Sequence, residues 1–136
     1  MKENIIQDKS FKFALQIINL YKNLIEIKKE YVLSKQVLRS GTSIGLNIEE
    51  SIGGQSKNDF LAKISIAYKE ARETMYWLKL LKESKYINEI EFNNLFNDLD
   101  EILKILGKIQ ITLRNPPDFS VSVPQNLSIN CFSLVA

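Results

Sequence analysis

The first 115 residues contain no proline, and the three prolines of the chain, Pro116, Pro117 and Pro124, all follow them. Proline inside a helix removes a backbone donor and clashes with the preceding turn, so a long span without it permits uninterrupted helices. Glycine is scarce too, with five in 136 residues. At 45% apolar and 25% charged residues, the chain has the make-up of one ordinary globular domain with enough apolar side chains for a core. The expected organisation is one helical unit over residues 1–115 and a separate C-terminal tail over residues 116–136, extended or disordered.

Apolar spacing divides the proline-free span into four helical segments. Segment one, Ser10 to Lys29, carries two apolar rows side by side. One is Phe11, Ala14, Leu15, Ile18, Tyr21 and Ile25; the other is Phe13, Ile17, Leu20, Leu24 and Ile27. A helix at the surface of a single bundle needs only one such row, so segment one is either deeply enclosed or has a second surface to cover. Segment three, Lys57 to Glu83, follows the row Phe60, Ile64, Ala67, Ala71, Met75, Leu78 and Leu81 or Lys82, while Ile66, Tyr68, Tyr76, Trp77 and Leu80 lie off it. Ser56 is placed to cap its free amides, with Asp59 in the reciprocal capping-box position. Segment four, Asn88 to Leu113, repeats Phe92, Leu95, Phe96, Leu99, Ile102, Leu103, Leu106, Ile109 and Leu113. Its first half holds acids and its end holds Lys104, Lys108 and Arg114, the order a helix dipole favours. The connections are short, so neighbours run antiparallel.

Segment two, Val32 to Ile52, contains R-S-G-T-S-I-G-L-N-I-E-E-S, residues 39–51. Val37, Gly41, Ile44, Ile48 and Ile52 keep helical phase straight through the glycines, which a phosphate-binding loop would not do. Gly41 and Gly45, four apart on adjoining turns, are expected to let a neighbouring helix approach closely. Ser40, Ser43, Asn47 and Glu50 fall at steps of three, four and three and form one polar helix face, suited to an interface or a pore and equally to ordinary helix surface. Gly53 and Gly54 are expected to end the helix in the left-handed cap conformation. In the tail, Phe119, Val121 and Val123 alternate with polar residues as a strand does, which suggests an extended segment laid on a helix or on a neighbouring subunit.

The residue inventory excludes many chemistries. There is no histidine and a single cysteine, Cys131, so histidine-dependent triads, imidazole bases, zinc–histidine sites and an intramolecular disulfide are ruled out. The G-T-S-I-G run is one residue short of a P-loop and lacks its lysine. Glu49, Glu50, Glu70 and Glu73 resemble the carboxylates of a di-iron bundle, but those sites also use histidine, and the glutamates have Arg39, Lys69 and Arg72 as partners. Ser40 and Ser43 have only lysines and carboxylates as activating bases. The expectation is therefore no catalytic residue, no metal and no cofactor. The N-terminus lacks an apolar run of signal-peptide length, and no window reaches the length of a membrane span, which points to the cytoplasm and away from a membrane. Net charge is +2, divided unevenly: residues 1–87 carry fifteen basic against ten acidic side chains and residues 88–136 three against six. Lys57, Lys63, Lys69, Arg72 and Lys79 of segment three are the candidate nucleic-acid contacts, whether RNA or DNA, and a solvated basic face is the plainer reading of the same lysines.

Three runs together resemble a known family. L-R-S-G-T-S-I-G-L-N-I-E-E-S, then D-F-L-A-K-I-S-I-A-Y-K-E-A-R-E-T-M-Y-W-L-K-L-L, after an F-x-x-A-x-x-I-x-x-L-Y-K first helix, are similar to the bacterial 23S ribosomal RNA intervening-sequence proteins, over roughly residues 8–114. The resemblance implies an all-α, antiparallel, up-and-down, left-handed four-helix bundle that assembles into a homo-oligomeric ring, a pentamer, and it implies no catalytic residue. A related branch, the accessory variability proteins of diversity-generating retroelements, forms basic barrels that bind a reverse transcriptase and nucleic acid. By that resemblance the chain is a scaffold for a protein partner or an accessory nucleic-acid-binding protein, although its charge is lower than that of the basic barrels.

Overall fold

The computed structural model describes residues 4–115, and the tail expected over residues 116–136 lies outside them. Four α-helices occupy almost all of this span: α1, Ile5–Glu26; α2, Leu33–Ile52; α3, Lys57–Glu83; and α4, Glu89–Arg114. Each helix packs on the next in sequence, and α1 closes the bundle against α4. Short connections between long helices leave antiparallel neighbours as the arrangement available, and the result is an up-and-down four-helix bundle.

The caps explain where the helices begin. The side chain of Asn4 accepts from the amide of Gln7, which starts α1 five residues earlier than its apolar rows suggest. Ser56 accepts from the Asp59 amide at 3.1 Å, and Asn88 from the Glu91 amide at 2.8 Å. Helix α2 follows Val32, which has no capping side chain. Its free amides are taken instead by the Glu30 carboxylate, which accepts from Val32, Leu33 and Ser34 at 3.1, 2.9 and 2.6 Å. Burial by itself would push the Glu30 carboxyl up, but the amides of Leu33, Ser34 and Val32 outweigh it and hold the group below its ordinary value.

The left-handed turns are not at the glycines. Gly53 has φ −81°, and no glycine among the described residues has positive φ. Lys29 and Lys85 adopt it instead, at φ 56° and 67°, just beyond α1 and α3. There the chain folds back, so that the Glu30 amide donates to the Leu24 carbonyl and the Tyr86 amide to the Leu81 carbonyl, each at 2.9 Å. The backbone closure of these helix ends fixes the conformation, and a lysine accepts the modest cost of the left-handed region.

Every helix contributes one row to a single core. In α1 that row is Ile6, Phe13, Ile17, Leu20 and Leu24, so of its two apolar rows the one with Phe13 faces inward. Helix α2 gives Val37, Ile44 and Ile48, helix α3 gives Ile64, Ala67, Ala71, Leu78 and Leu81, and α4 gives Phe92, Leu95, Leu99, Ile102, Leu106, Ile109 and Leu113. Phe96 and Leu103 of α4, and Phe60 and Met75 of α3, pack against this core while partly exposed. Ile52 is more exposed than its phase predicts, and Ser51 occupies the buried position beside it.

Candidate interaction surfaces

The glycines of α2 serve its seam with α1. A Cβ on Gly41 would lie 2.8 Å from both γ-carbons of Ile17, inside any real contact distance. A Cβ on Gly45 would meet the Ser10 backbone and hydroxyl at 3.5 Å, an ordinary contact. Gly41 is thus required by the shape of Ile17, whereas Gly45 only lies close to the α1 backbone.

The polar residues of α2 do not share one open face. Ser40 is fully buried in the seam with α3, where its hydroxyl lies in a 2.9 Å hydrogen bond with Thr74 Oγ1, which also stands 2.8 Å from the Glu70 carbonyl. Burial removes Ser40 from any solvent-facing surface. Ser43 and Asn47 are half-buried and bond within their own helix, to the carbonyls of Arg39 and Ser43. Glu50 is exposed and pairs with Lys63 of α3 at 2.7 Å. The glutamates of α3 are engaged as well: Arg39 Nη1 reaches Glu70 at 3.2 Å, its other terminal nitrogen pairs with Glu73, and Trp77 Nε1 donates to Glu73 at 3.0 Å. Glu49 accepts from Gln7 of α1. These carboxylates bind cations and amides of neighbouring helices, a role that fastens helix to helix with modest energy at a solvated surface.

Two outer surfaces remain uncovered by the bundle. The first lies along α1 and α2. Gln7, Phe11, Ala14, Ile18 and Ile25 fall on one side of α1 at steps of four, three, four and seven, with Leu15 beside them, and the Gln7–Glu49 bond ties that side to α2. On α2, Leu38, Thr42, Leu46 and Glu49 follow one another at steps of four, four and three. Phe11 is 62% exposed, Leu15 48% and Leu46 57%. An apolar strip therefore runs along the outside of the α1–α2 pair. Its α1 half is legible in the sequence as the row from Phe11 to Ile25; Leu46 carries no signal beyond its place four residues from Thr42.

The second surface is on α3. Lys69, Arg72, Tyr76 and Lys79 are all exposed and fall on one arc at steps of three, four and three. Neither the two lysines nor the arginine is in an ion pair among the described residues, and Lys57, exposed at the start of the same helix, has none either. Lys63 is separated from them, on the side facing α2, by its bond to Glu50. No group of acidic, cysteine or histidine side chains among the described residues is arranged to hold a metal ion, and no helix among them is long and apolar enough to cross a membrane.

Comparison with known proteins agrees with this architecture. A crystal structure of a protein of unknown function from the S23 ribosomal protein family, from Bacteroides thetaiotaomicron VPI-5482, is 52% identical to this chain and superposes with a TM-score of 0.79, over 82% of this chain and 100% of the other. None of the curated proteins matches. The family model described as 23S rRNA-intervening sequence protein matches residues 2–108, which takes in α1, α2, α3 and most of α4. With a match over most of its length and a half-identical neighbour of the same fold, the chain belongs to the 23S rRNA-intervening sequence protein family.

Proposed function

We propose that this chain is a non-enzymatic scaffold that works as a closed homo-oligomer, a ring of five copies. The observation that carries the reading is the apolar strip along α1 and α2, which the core of the protomer does not use. Phe11, Leu15 and Leu46 in water would each forfeit on the order of 1–2 kcal/mol that burial against a neighbour recovers. In a ring the contact is heterologous, so the strip meets a different surface of the next copy and closure leaves none unpaired. The ring size of five follows from the family resemblance. The experiment is a Phe11→Asp, Leu15→Asp double variant followed by sedimentation velocity. Because both side chains point outward, the helical content stays at the wild-type level while the oligomer dissociates; a variant that sediments like the wild type would defeat the proposal.

A second reading is favoured by the α3 arc, on which Lys69, Arg72 and Lys79 flank Tyr76: an accessory surface for RNA or DNA, with or without a protein partner such as a reverse transcriptase. Cations neutralise phosphates and release counterions, and the tyrosine offers a ring for a base to stack on. Binding to structured RNA would weaken between 50 and 200 mM salt, as the log–log slope of about 0.7–0.9 per phosphate requires. Replacing Lys69, Arg72 and Lys79 together by Gln would lower that slope by about 2–3. Binding that ignores salt, or a slope unchanged in the triple variant, would remove this reading.

A further inference from the structure

Ile66, Glu70, Glu73, Trp77 and Leu80 follow one another along α3 at steps of four, three, four and three, so they share one side of the helix. That side adjoins α2, because Arg39 of α2 pairs with both Glu70 and Glu73 across the seam. Ile66 is 40% exposed, and Trp77 and Leu80 are half-buried, with the Trp77 ring held by its 3.0 Å bond to Glu73. The charged side chains around this row are already matched within the protomer, Arg39 with the two glutamates and Lys63 with Glu50.

Resting on the closed homo-oligomer proposed above, we infer that this α2–α3 face receives the α1–α2 strip of the next copy, with Phe11 and Leu15 of one protomer against Ile66 and Trp77 of its neighbour. Each helix touches the next and α1 touches α4, while neither diagonal pair comes into backbone contact among the described residues, so the bundle is four-sided. The two contact surfaces of a ring must be inclined to one another, by about 90° for four copies, about 108° for five and about 120° for six. The α3–α4 face lies opposite the strip, at about 180°, and joining those two would build an open stack. It also carries Lys69, Arg72 and Lys79, which have no ion pair among the described residues and would be buried as lone charges. Two faces stand next to the strip, α1–α4 and α2–α3. The first holds a cleft lined by Asp8, Lys9, Lys12, Gln16, Asp98 and Glu101, groups that an apolar cover would cut off from water without offering them partners. The second offers Trp77 and Arg39, residue types that anchor interfaces, beside charges already neutralised. The levels agree as well. Gly41 adjoins Ile17 and Ser40 adjoins Thr74, so Phe11 to Ile18 on α1 and Ile66 to Trp77 on α3 lie at one height of the bundle, as a ring axis parallel to the helices requires. Helix α2, common to both faces, then turns toward the ring axis and α4 away from it.

Trp77 is the single tryptophan of the chain, so its fluorescence reports on this face. The Phe11→Asp, Leu15→Asp double variant changes a helix that does not touch α3 within the protomer, and at wild-type helical content the surroundings of Trp77 change through loss of a neighbouring copy. Sedimentation velocity and fluorescence on the same full-length sample are expected to show dissociation together with a red shift of Trp77 emission and stronger quenching by acrylamide. Dissociation with emission and quenching unchanged would overturn the assignment and leave the oligomer standing; a wild-type protein that sediments as a monomer would overturn both. Disulfide trapping gives a second measurement. In the chain carrying Cys131→Ser, Leu15→Cys together with Ile66→Cys should yield a ladder of covalently joined copies under a mild oxidant, and each substitution alone should yield none. Joined copies from Leu15→Cys alone would mean that the strip meets itself, and a ladder formed as fast by Leu15→Cys with Ile111→Cys would mean an α3–α4 contact; either result would overturn the assignment.

Discussion

Gly41 and Gly45 have the same spacing signature yet should respond in opposite directions to the same substitution. Alanine in place of a mid-helix glycine brings about 1 kcal/mol of helix propensity. At Gly45 nothing opposes it, since the new methyl would meet Ser10 at 3.5 Å, and Gly45→Ala should stabilise the protein by about 0.5–1 kcal/mol. At Gly41 the methyl would stand 2.8 Å from two carbons of Ile17. Ile17 is fully buried and β-branched, with one favoured rotamer in a helix, so it cannot swing aside and the helices must separate. Overpacking of this kind costs about 1–3 kcal/mol, which leaves Gly41→Ala destabilising by up to about 2 kcal/mol after the propensity gain of about 1 kcal/mol, with Gly41→Leu worse. Truncating Ile17 to Ala removes both clashing carbons. Alone it costs about 2–5 kcal/mol, but in that background Gly41→Ala should become stabilising, a sign reversal that a double-mutant cycle reads directly. Urea unfolding at one fixed protein concentration, followed by circular dichroism, gives the four free energies. If Gly41→Ala stabilises as much as Gly45→Ala, the seam is not closed by Ile17 and the packing argument fails.

Two further perturbations address the caps and the inner polar contact. Glu30 has a depressed folded value, so the stability it confers is present above its unfolded value and is lost as pH falls through the folded one. Glu30→Gln should therefore cost about 1–3 kcal/mol at neutral pH, and the gap to wild type should narrow steadily once the pH drops below the ordinary carboxylate range; a gap independent of pH would mean the charge is not what caps α2. Thr74→Val keeps the volume but leaves the buried Ser40 hydroxyl without its 2.9 Å partner, for a loss of about 1–2 kcal/mol, while Ser40→Ala with Thr74→Val together should cost less than their sum; strict additivity in denaturant unfolding would contradict the shared bond.

Much of the bundle is written into spacing, and what is not has identifiable causes. The row on α4 from Phe92 to Leu113 is visible because acids, amides and lysines fill most of the opposite face, with Ile90 and Ile111 the exposed exceptions. On α1 the two rows are made of the same residue types at the same period, so periodicity cannot choose between Phe13–Ile17–Leu24 and Phe11–Leu15–Ile18; only the position of α2 and α4 does. The start of α2 hides for a different reason. No Ser, Thr, Asp or Asn stands directly before it, and the absence is itself the clue that a side chain from further back, Glu30, supplies the acceptors. The glycines misdirect because Gly53-Gly54 looks like a left-handed stop, while the actual left-handed residues, Lys29 and Lys85, are set by backbone closure that composition does not record. Ser40 joins a polar row by spacing but turns inward because Thr74 of α3 offers it a partner, a pairing between positions far apart in the chain.

Coverage of the α1–α2 strip by another copy of the chain is directly measurable. Light scattering coupled to gel filtration, read at 260 and 280 nm on protein purified at low salt, measures the assembled mass and any bound nucleic acid together. A mass near five times the 15.7 kDa protomer, about 79 kDa, with a protein-only absorbance ratio is the result predicted. A mass of one protomer would contradict it, leaving Phe11, Leu15 and Leu46 as solvent-exposed side chains of a solitary bundle.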